Sequence, residues 1–308
     1  MKVLYLTDPS EDYLQDQVLL GLRNRFGDQI IDHPKKNQLY DKSLIPKNDL
    51  YGNGFTIWKL LPSLEIDRSN VKNRLRKGEF QIIIFGRIWR QINIFGQFID
   101  EKLFDTNSTT FLFLDGEDHK KIFKNALNYG KYYKREQGRS FAPKVVEKIG
   151  FSIPNLKLRT NAIQKDKLFA THVQCNEAYK IKFIKEHCQT SYAFDQEDQY
   201  YFDIARSQYA ITMKKAGWDC MRHYEIAANH TIPCFYNLHK KPKDCAPHDL
   251  IDMENVISFR NAKELMDKIQ HIEKSNLYTT IQNQVFRWAE KNSCENIAKS
   301  IIDNVRFS

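Results

Sequence analysis

The feature that most constrains this chain is its hydrophobic rhythm: short apolar runs alternate with stretches of helical period, and the series runs twice. Such alternation builds βα units, because parallel strands need a crossover that is usually a helix. The first series predicts strands at residues 3–7, 29–32, 81–85 and 110–114, with helices over 11–25, 68–77 and 95–103. Around 151–158 the pattern loosens at Pro154 and Asn155, as a connection does. The second series predicts strands at 168–173, 191–194, 209–214, 232–236 and 255–259, and helices at 176–187, 200–208, 219–229 and from 262 onward. The expectation is an α/β chain of two Rossmann-like domains facing a cleft, residues 1–155 and 156–308, with room for the last helix to cross back. In open parallel sheets ligands bind beyond the carboxyl ends of the strands.

A chain of 308 residues with 42% hydrophobic and 28% charged residues can bury a real core. No apolar stretch reaches the ~18 residues that a membrane span needs. The first apolar run is too short for a signal peptide, so the chain is expected to fold in the cytoplasm. The cysteines contain no CxxC pair, which favours reduced thiols. Cys234, His239, Cys245 and His248 lie close together, but their separations fit no common zinc finger, and no metal is expected. The net charge of +9 favours an anionic partner such as a sugar nucleotide, a phospholipid head group or nucleic acid. It is spread over Lys35-Lys36, 74–77, Lys120-Lys121, 131–135 and 240–243, which predicts a solvated basic surface.

The most informative segment is 210–233: a strand, a tight turn at Gly217, then a helix. Cys220, Met221, Tyr224, Ala227 and Ala228 form an apolar face on that helix, while Arg222, Glu225 and Asn229 share a polar one. A loop at a strand's carboxyl end, leading into a helix N-terminus, suits an anion. Lys214, Lys215 and Arg222 supply charge for a diphosphate, and a carboxylate such as Glu225 suits ribose hydroxyls. Spacing alone favours a surface helix with an Arg222–Glu225 ion pair and lysines in solvent, because i,i+3 pairs are so common.

The run Arg222-His223-Tyr224-Glu225-Ile226-Ala227-Ala228-Asn229, followed by Pro233, resembles the donor-site helix of GT-B glycosyltransferases, most of all their CgeB-like and exostosin-like branch. Gly217-Trp218-Asp219 and Ser207-Gln208-Tyr209 fit the same pattern. The resemblance implies that Glu225 binds the donor ribose and that Arg222 with Lys214 and Lys215 holds the diphosphate. Gly217, Trp218 and Asn229 complete the implied donor site. His230 stands where these enzymes usually carry Gly, and a backbone that needs positive φ there disfavours His. Weaker resemblances in the first half are 50–56 (Leu-Tyr-Gly-Asn-Gly-Phe-Thr), 114–118 (Leu-Asp-Gly-Glu-Asp) and 133–136. Gly52 and Gly54 would let a loop approach the donor, or simply make a turn.

The resemblance implies transfer of a sugar from a nucleoside-diphosphate donor to a hydroxyl of a glycan, a lipid-linked glycan, a protein or a modified DNA base. The nucleotide sugar is a co-substrate; no further cofactor and no obligatory metal are implied, and Asp12 with Asp16 is not an Asp-x-Asp pair. An acceptor hydroxyl needs a base in an inverting enzyme. Asp115, Glu117 and Asp118 follow a strand at its carboxyl end, and Asp12 follows the first strand; turn and cap chemistry explains them as well. The alternative is a non-catalytic protein that binds a nucleotide or glycan. A dinucleotide enzyme is disfavoured because Thr7-Asp8-Pro9-Ser10 replaces the glycine fingerprint.

Overall fold

The computed structural model describes residues 1–104, 109–138, 146–191 and 193–306. The chain divides into two compact units, Met1–Pro154 with Cys294–Ser308, and Asn155–Ser293.

The first unit contains β1 (Val3–Leu6), α1 (Tyr13–Phe26), β2 (Ile30–His33), α2 (Val71–Arg76), β3 (Ile82–Phe85), α3 (Ile92–Asp100), β4 (Thr110–Asp115), β5 (Gly130–Lys134) and β6 (Val146–Lys148). All its strands pair in parallel in the order β2-β1-β3-β4-β5-β6. β1 and β3 are buried along their whole length, as strands covered on both faces must be. An aromatic core packs under β3 and β4, where Phe85 stacks on Phe113 at 5.3 Å and meets Phe95 edge-on at 5.5 Å. Burying each such ring stabilises the unit by about 1.5–3 kcal/mol.

The second unit contains β7 (Lys167–Phe169), α4 (Lys182–His187), α5 (Glu197–Arg206), β8 (Ser207–Met213), α6 (Met221–Ala228), β9 (Ile232–Tyr236), β10 (Ile257–Phe259), α7 (Ala262–Lys274) and α8 (Tyr278–Lys291). Its strands are parallel in the order β10-β9-β8-β7. Beyond β7, a parallel bridge joins His172 to Gln189. The chain therefore steps from β7 outward to Gln189, then back across β7 to β8. The first unit makes the same reversal between β1 and β3. Each sheet thus has a topological switch point, the place where an open α/β sheet forms its ligand crevice.

Some expectations are corrected. The strand predicted at 191–194 is replaced by the single bridge at Gln189, and residue 192 lies outside the described residues. The helix predicted over 176–187 is split into a 3-10 turn, Ala178–Lys180, and α4. The charge clusters are not simply solvated: Lys36, Lys134 and Arg135 are buried. Lys36 donates to the carbonyls of Asp8 (2.7 Å) and Ser10 and pairs with Asp16 at 3.2 Å, so it props the β1–α1 loop from within.

The last helix, α9 (Cys294–Arg306), belongs to the first unit and lies against α1. Gly21 makes that approach feasible, since a Cβ there would sit 1.9 Å from the Cys294 carbonyl oxygen. No helix among the described residues is long and apolar enough to cross a membrane.

Candidate functional site

At the switch point of the second unit, three elements converge. β8 ends at Met213, the bend over 215–218 follows, and α6 starts at Met221 after Cys220, whose side chain makes no cap bond. Arg222, on the first turn of α6, donates from Nη2 to the His172 carbonyl (2.6 Å) and from Nε to the Ile211 carbonyl (3.2 Å). It therefore bridges the β8 strand and the segment after β7. Its Nη1 donates to the Tyr200 hydroxyl at 3.1 Å, and that hydroxyl donates to Glu225 Oε2 at 2.6 Å. Arg222 and Glu225 are thus linked through Tyr200 of α5. Burial and the Glu225 carboxylate push the Tyr200 phenol well above its usual range, so it remains a donor at neutral pH.

Lys214 and Lys215 are exposed at the mouth of this turn. Lys214 Nζ donates to the Ala216 carbonyl at 3.0 Å, and Lys215 Nζ donates to Gln174. Partial desolvation of its ammonium lowers the Lys215 pKa, although the residue as a whole is exposed. Burial first, and then the Arg222 charge, push the His172 imidazole down to about 4, so it is neutral at pH 7.

Other residues of the segment are held by the fold. Trp218 stacks on Phe235 and packs against the cluster of Phe235, Leu238 and Val256. Asn229 caps α6: its amide donates to the Glu225 carbonyl at 2.8 Å, and its oxygen accepts from Arg159 at 3.2 Å. His223 is buried between Thr212 (2.8 Å) and the Trp218 carbonyl (2.9 Å), which fixes Nε2 as the protonated nitrogen. His230 does adopt a positive φ of 53°. It is kept there by stacking on Phe286 at 3.9 Å and by an Nε2–H bond to the Arg159 carbonyl at 2.8 Å. Tyr200 had no signal in the 210–233 segment, because it reaches Glu225 only through tertiary packing of α5 on α6.

The switch point of the first unit brings two of the predicted carboxylates, Asp12 and Glu117, to Arg87, just beyond β3. Its Nε lies 3.4 Å from Asp12 and 3.3 Å from Glu117, and its Nη1 lies 3.6 Å from Asp8 and 2.6 Å from Ser10 Oγ. Asp12 also caps α1 by accepting from the Gln15 backbone N–H at 2.8 Å, and burial raises its pKa. Gly116 allows this approach: a Cβ there would stand 3.3 Å from the Asp12 carboxylate.

The sequence expectation treats Asp115 as equal to its neighbours; the geometry does not. Its carboxylate accepts from Trp89 Nε1 (2.9 Å), Tyr132 Oη (2.5 Å), Lys134 Nζ (2.8 Å) and the Glu117 backbone N–H (3.2 Å). A carboxylate so engaged and buried is a structural anchor, its lone pairs taken by protein donors. Asp118 is half-exposed and paired with Arg135. Glu117 is the one of the three that combines partial exposure with the Arg87 cluster. Among the described residues, no three His, Cys, Asp or Glu side chains converge as a metal site, and Cys234 and Cys245 are buried.

No protein-family model matches the sequence, and no curated protein matches it. Solved structures do match. A glycosyltransferase from Rickettsia africae aligns with a TM-score of 0.58 and 10% identity, over 98% of this chain and 97% of that one. HepE of Anabaena, crystallised with UDP, aligns with a TM-score of 0.56 and 7% identity over 100% of both chains. An α-glucosyltransferase bound to UDP and a 13-mer DNA aligns with a TM-score of 0.53 and 11% identity, over 99% of this chain and 98% of that one. These likenesses show the fold: an α/β chain with two parallel Rossmann-like sheets, of the GT-B kind.

Proposed function

We propose that the chain is a GT-B-type glycosyltransferase that uses a nucleoside-diphosphate sugar and transfers the sugar to a hydroxyl acceptor in the cytoplasm. The observation that carries this reading is the Arg222–Tyr200–Glu225 constellation at a switch point. It joins the cation and the carboxylate that a nucleoside diphosphate needs, at the place where such sheets bind ligands. The UDP in the HepE and α-glucosyltransferase structures supports the same donor class. The words at 50–56, 114–118 and 222–233 favour the CgeB-like branch.

In this reading Glu225 accepts from the ribose hydroxyls, and Arg222 with Lys214 or Lys215 meets the diphosphate. Gly217 lies in the bend that leads into α6, while Trp218 and Asn229 support the turn and the helix end. The new bond joins the acceptor oxygen to the anomeric carbon, the bond from that carbon to the diphosphate oxygen breaks, and the acceptor proton passes to a carboxylate. Glu117 is the preferred base, with Asp12 next. Lysine and arginine charges take the place that a divalent cation would fill at the leaving group.

The test is a thermal-shift screen of nucleotides and nucleotide sugars, followed by assay of free nucleoside diphosphate. One nucleoside diphosphate and its sugars should raise the melting temperature by mass action, and diphosphate should be released. A screen with no stabilising nucleotide would sink the reading. Stabilisation with the nucleotide sugar recovered intact, whatever hydroxyl is offered, would favour a non-catalytic binding protein.

A further inference from the structure

We propose that Tyr51 is the stacking platform for a carbohydrate acceptor beside the Arg87 carboxylate cluster; this rests on the glycosyltransferase reading and names its acceptor class. The segment that carries Tyr51 is unusual. Gly52, Asn53, Gly54, Thr56 and Lys59 all have positive φ, at 58°, 54°, 65°, 78° and 57°. Asn53 tolerates that region, but Thr56 is β-branched and a true outlier. Backbone of this kind persists only where its surroundings over-determine it, and it clusters at functional sites.

The surroundings do over-determine it. Phe55, Thr56, Ile57 and Leu61 are buried, and Trp58 Nε1 donates to the Ile45 carbonyl at 3.2 Å. Lys59 and Leu61 donate from their backbone N–H groups to the carbonyls of Gln38 (3.0 Å) and Leu39 (2.7 Å). In this anchored segment Tyr51 is the exception, at 73% exposed.

The backbone that carries this ring is anchored, and the ring has an aromatic neighbour. Both Glu11 carboxylate oxygens accept from the Tyr51 backbone N–H, at 3.0 and 2.8 Å. Tyr13 meets the Tyr51 ring edge-on at 6.1 Å and also meets Phe151 edge-on at 5.7 Å. Glu11 and Tyr13 flank Asp12, which faces Arg87. The same short stretch therefore holds the aromatic ring and a candidate base. An exposed tyrosine on an anchored backbone offers an apolar face at low entropic cost, with polar groups around it. That suits a sugar ring, which has C–H groups on its faces and hydroxyls at its rim.

The experiment is saturation-transfer NMR on the full chain with methyl β-glucoside, cellobiose, maltotriose and N,N′-diacetylchitobiose as probes. UDP and an octathymidine oligonucleotide are titrated into wild type in parallel. At least one sugar should show transfer to its ring C–H groups. Tyr51→Ala should weaken that binding by about 2- to 12-fold, the range of one aromatic contact, and Tyr51→Trp should restore it. Sugar binding that is indifferent to Tyr51→Ala, or UDP binding with no sugar binding, overturns the proposal. Tyr51-dependent oligonucleotide binding without sugar binding assigns the ring to a nucleic acid and overturns it as well. Failure of UDP and other nucleotides to bind wild type instead refutes the donor reading.

Discussion

At the residue scale, the carboxylates after β4 divide into an anchor and a reactive group. Asp115→Asn should cost on the order of 3–5 kcal/mol in urea unfolding, because it strips Lys134 of its buried partner. Glu117→Gln should leave stability within about 1 kcal/mol, since its ion pair is partly exposed. It should lower transfer to an acceptor by about 10²–10⁴-fold. The reverse pattern would exchange their roles. The sequence displays all of these carboxylates at a strand end but cannot rank them, because Trp89 comes from the 3-10 turn after β3, and Tyr132 and Lys134 come from β5. His230 is a second case. Its mismatch with glycine is visible in the sequence; the Phe286 stack that holds it in the left-handed region is not. His230→Gly should unfold at higher urea than His230→Ala, by about 1 kcal/mol, because both lose the stack but only Ala keeps the backbone cost. Equal stability of the two would mean that the backbone there carries no strain.

At the scale of elements, β8, α6 and β9 are legible because their apolar runs and helical stripe are strong, and the bend at Gly217 separates β8 from α6. The edge beyond β7 was not: its pairing with Gln189 is one residue long, and no periodicity survives at that length. Tyr200 was missed for a related reason, since its place beside Glu225 depends on how α5 meets α6. The docking of α9 on α1 depends on Gly21, and Gly21→Val should disrupt it, because even a Cβ collides with the Cys294 carbonyl. The measurement is thermal unfolding with hydrogen exchange of α9; protection of α9 equal to wild type would contradict this account of the contact.

For the whole molecule, two buried histidines of the second unit set a pH dependence. His172 and His223 are both pushed by burial to about 4. Their neutral forms fit the fold, so their contribution is fully present above the unfolded value of about 6.5 and is lost as pH falls through about 4. Each shift corresponds to at most about 3.5 kcal/mol. Unfolding free energy should therefore decline on acidification across this window, and His223→Gln should show a shallower decline from a lower start. The central claim concerns the donor site, and calorimetric titration of UDP and of uridine into wild type, Glu225→Gln and Arg222→Ala tests it most directly. Glu225→Gln should weaken both ligands by about 1.5–3 kcal/mol, the worth of a charge-assisted hydrogen bond, while Arg222→Ala should weaken UDP far more than uridine. Unchanged affinity in both variants, when wild type binds UDP, would contradict the assignment of Arg222 and Glu225 to the donor nucleotide.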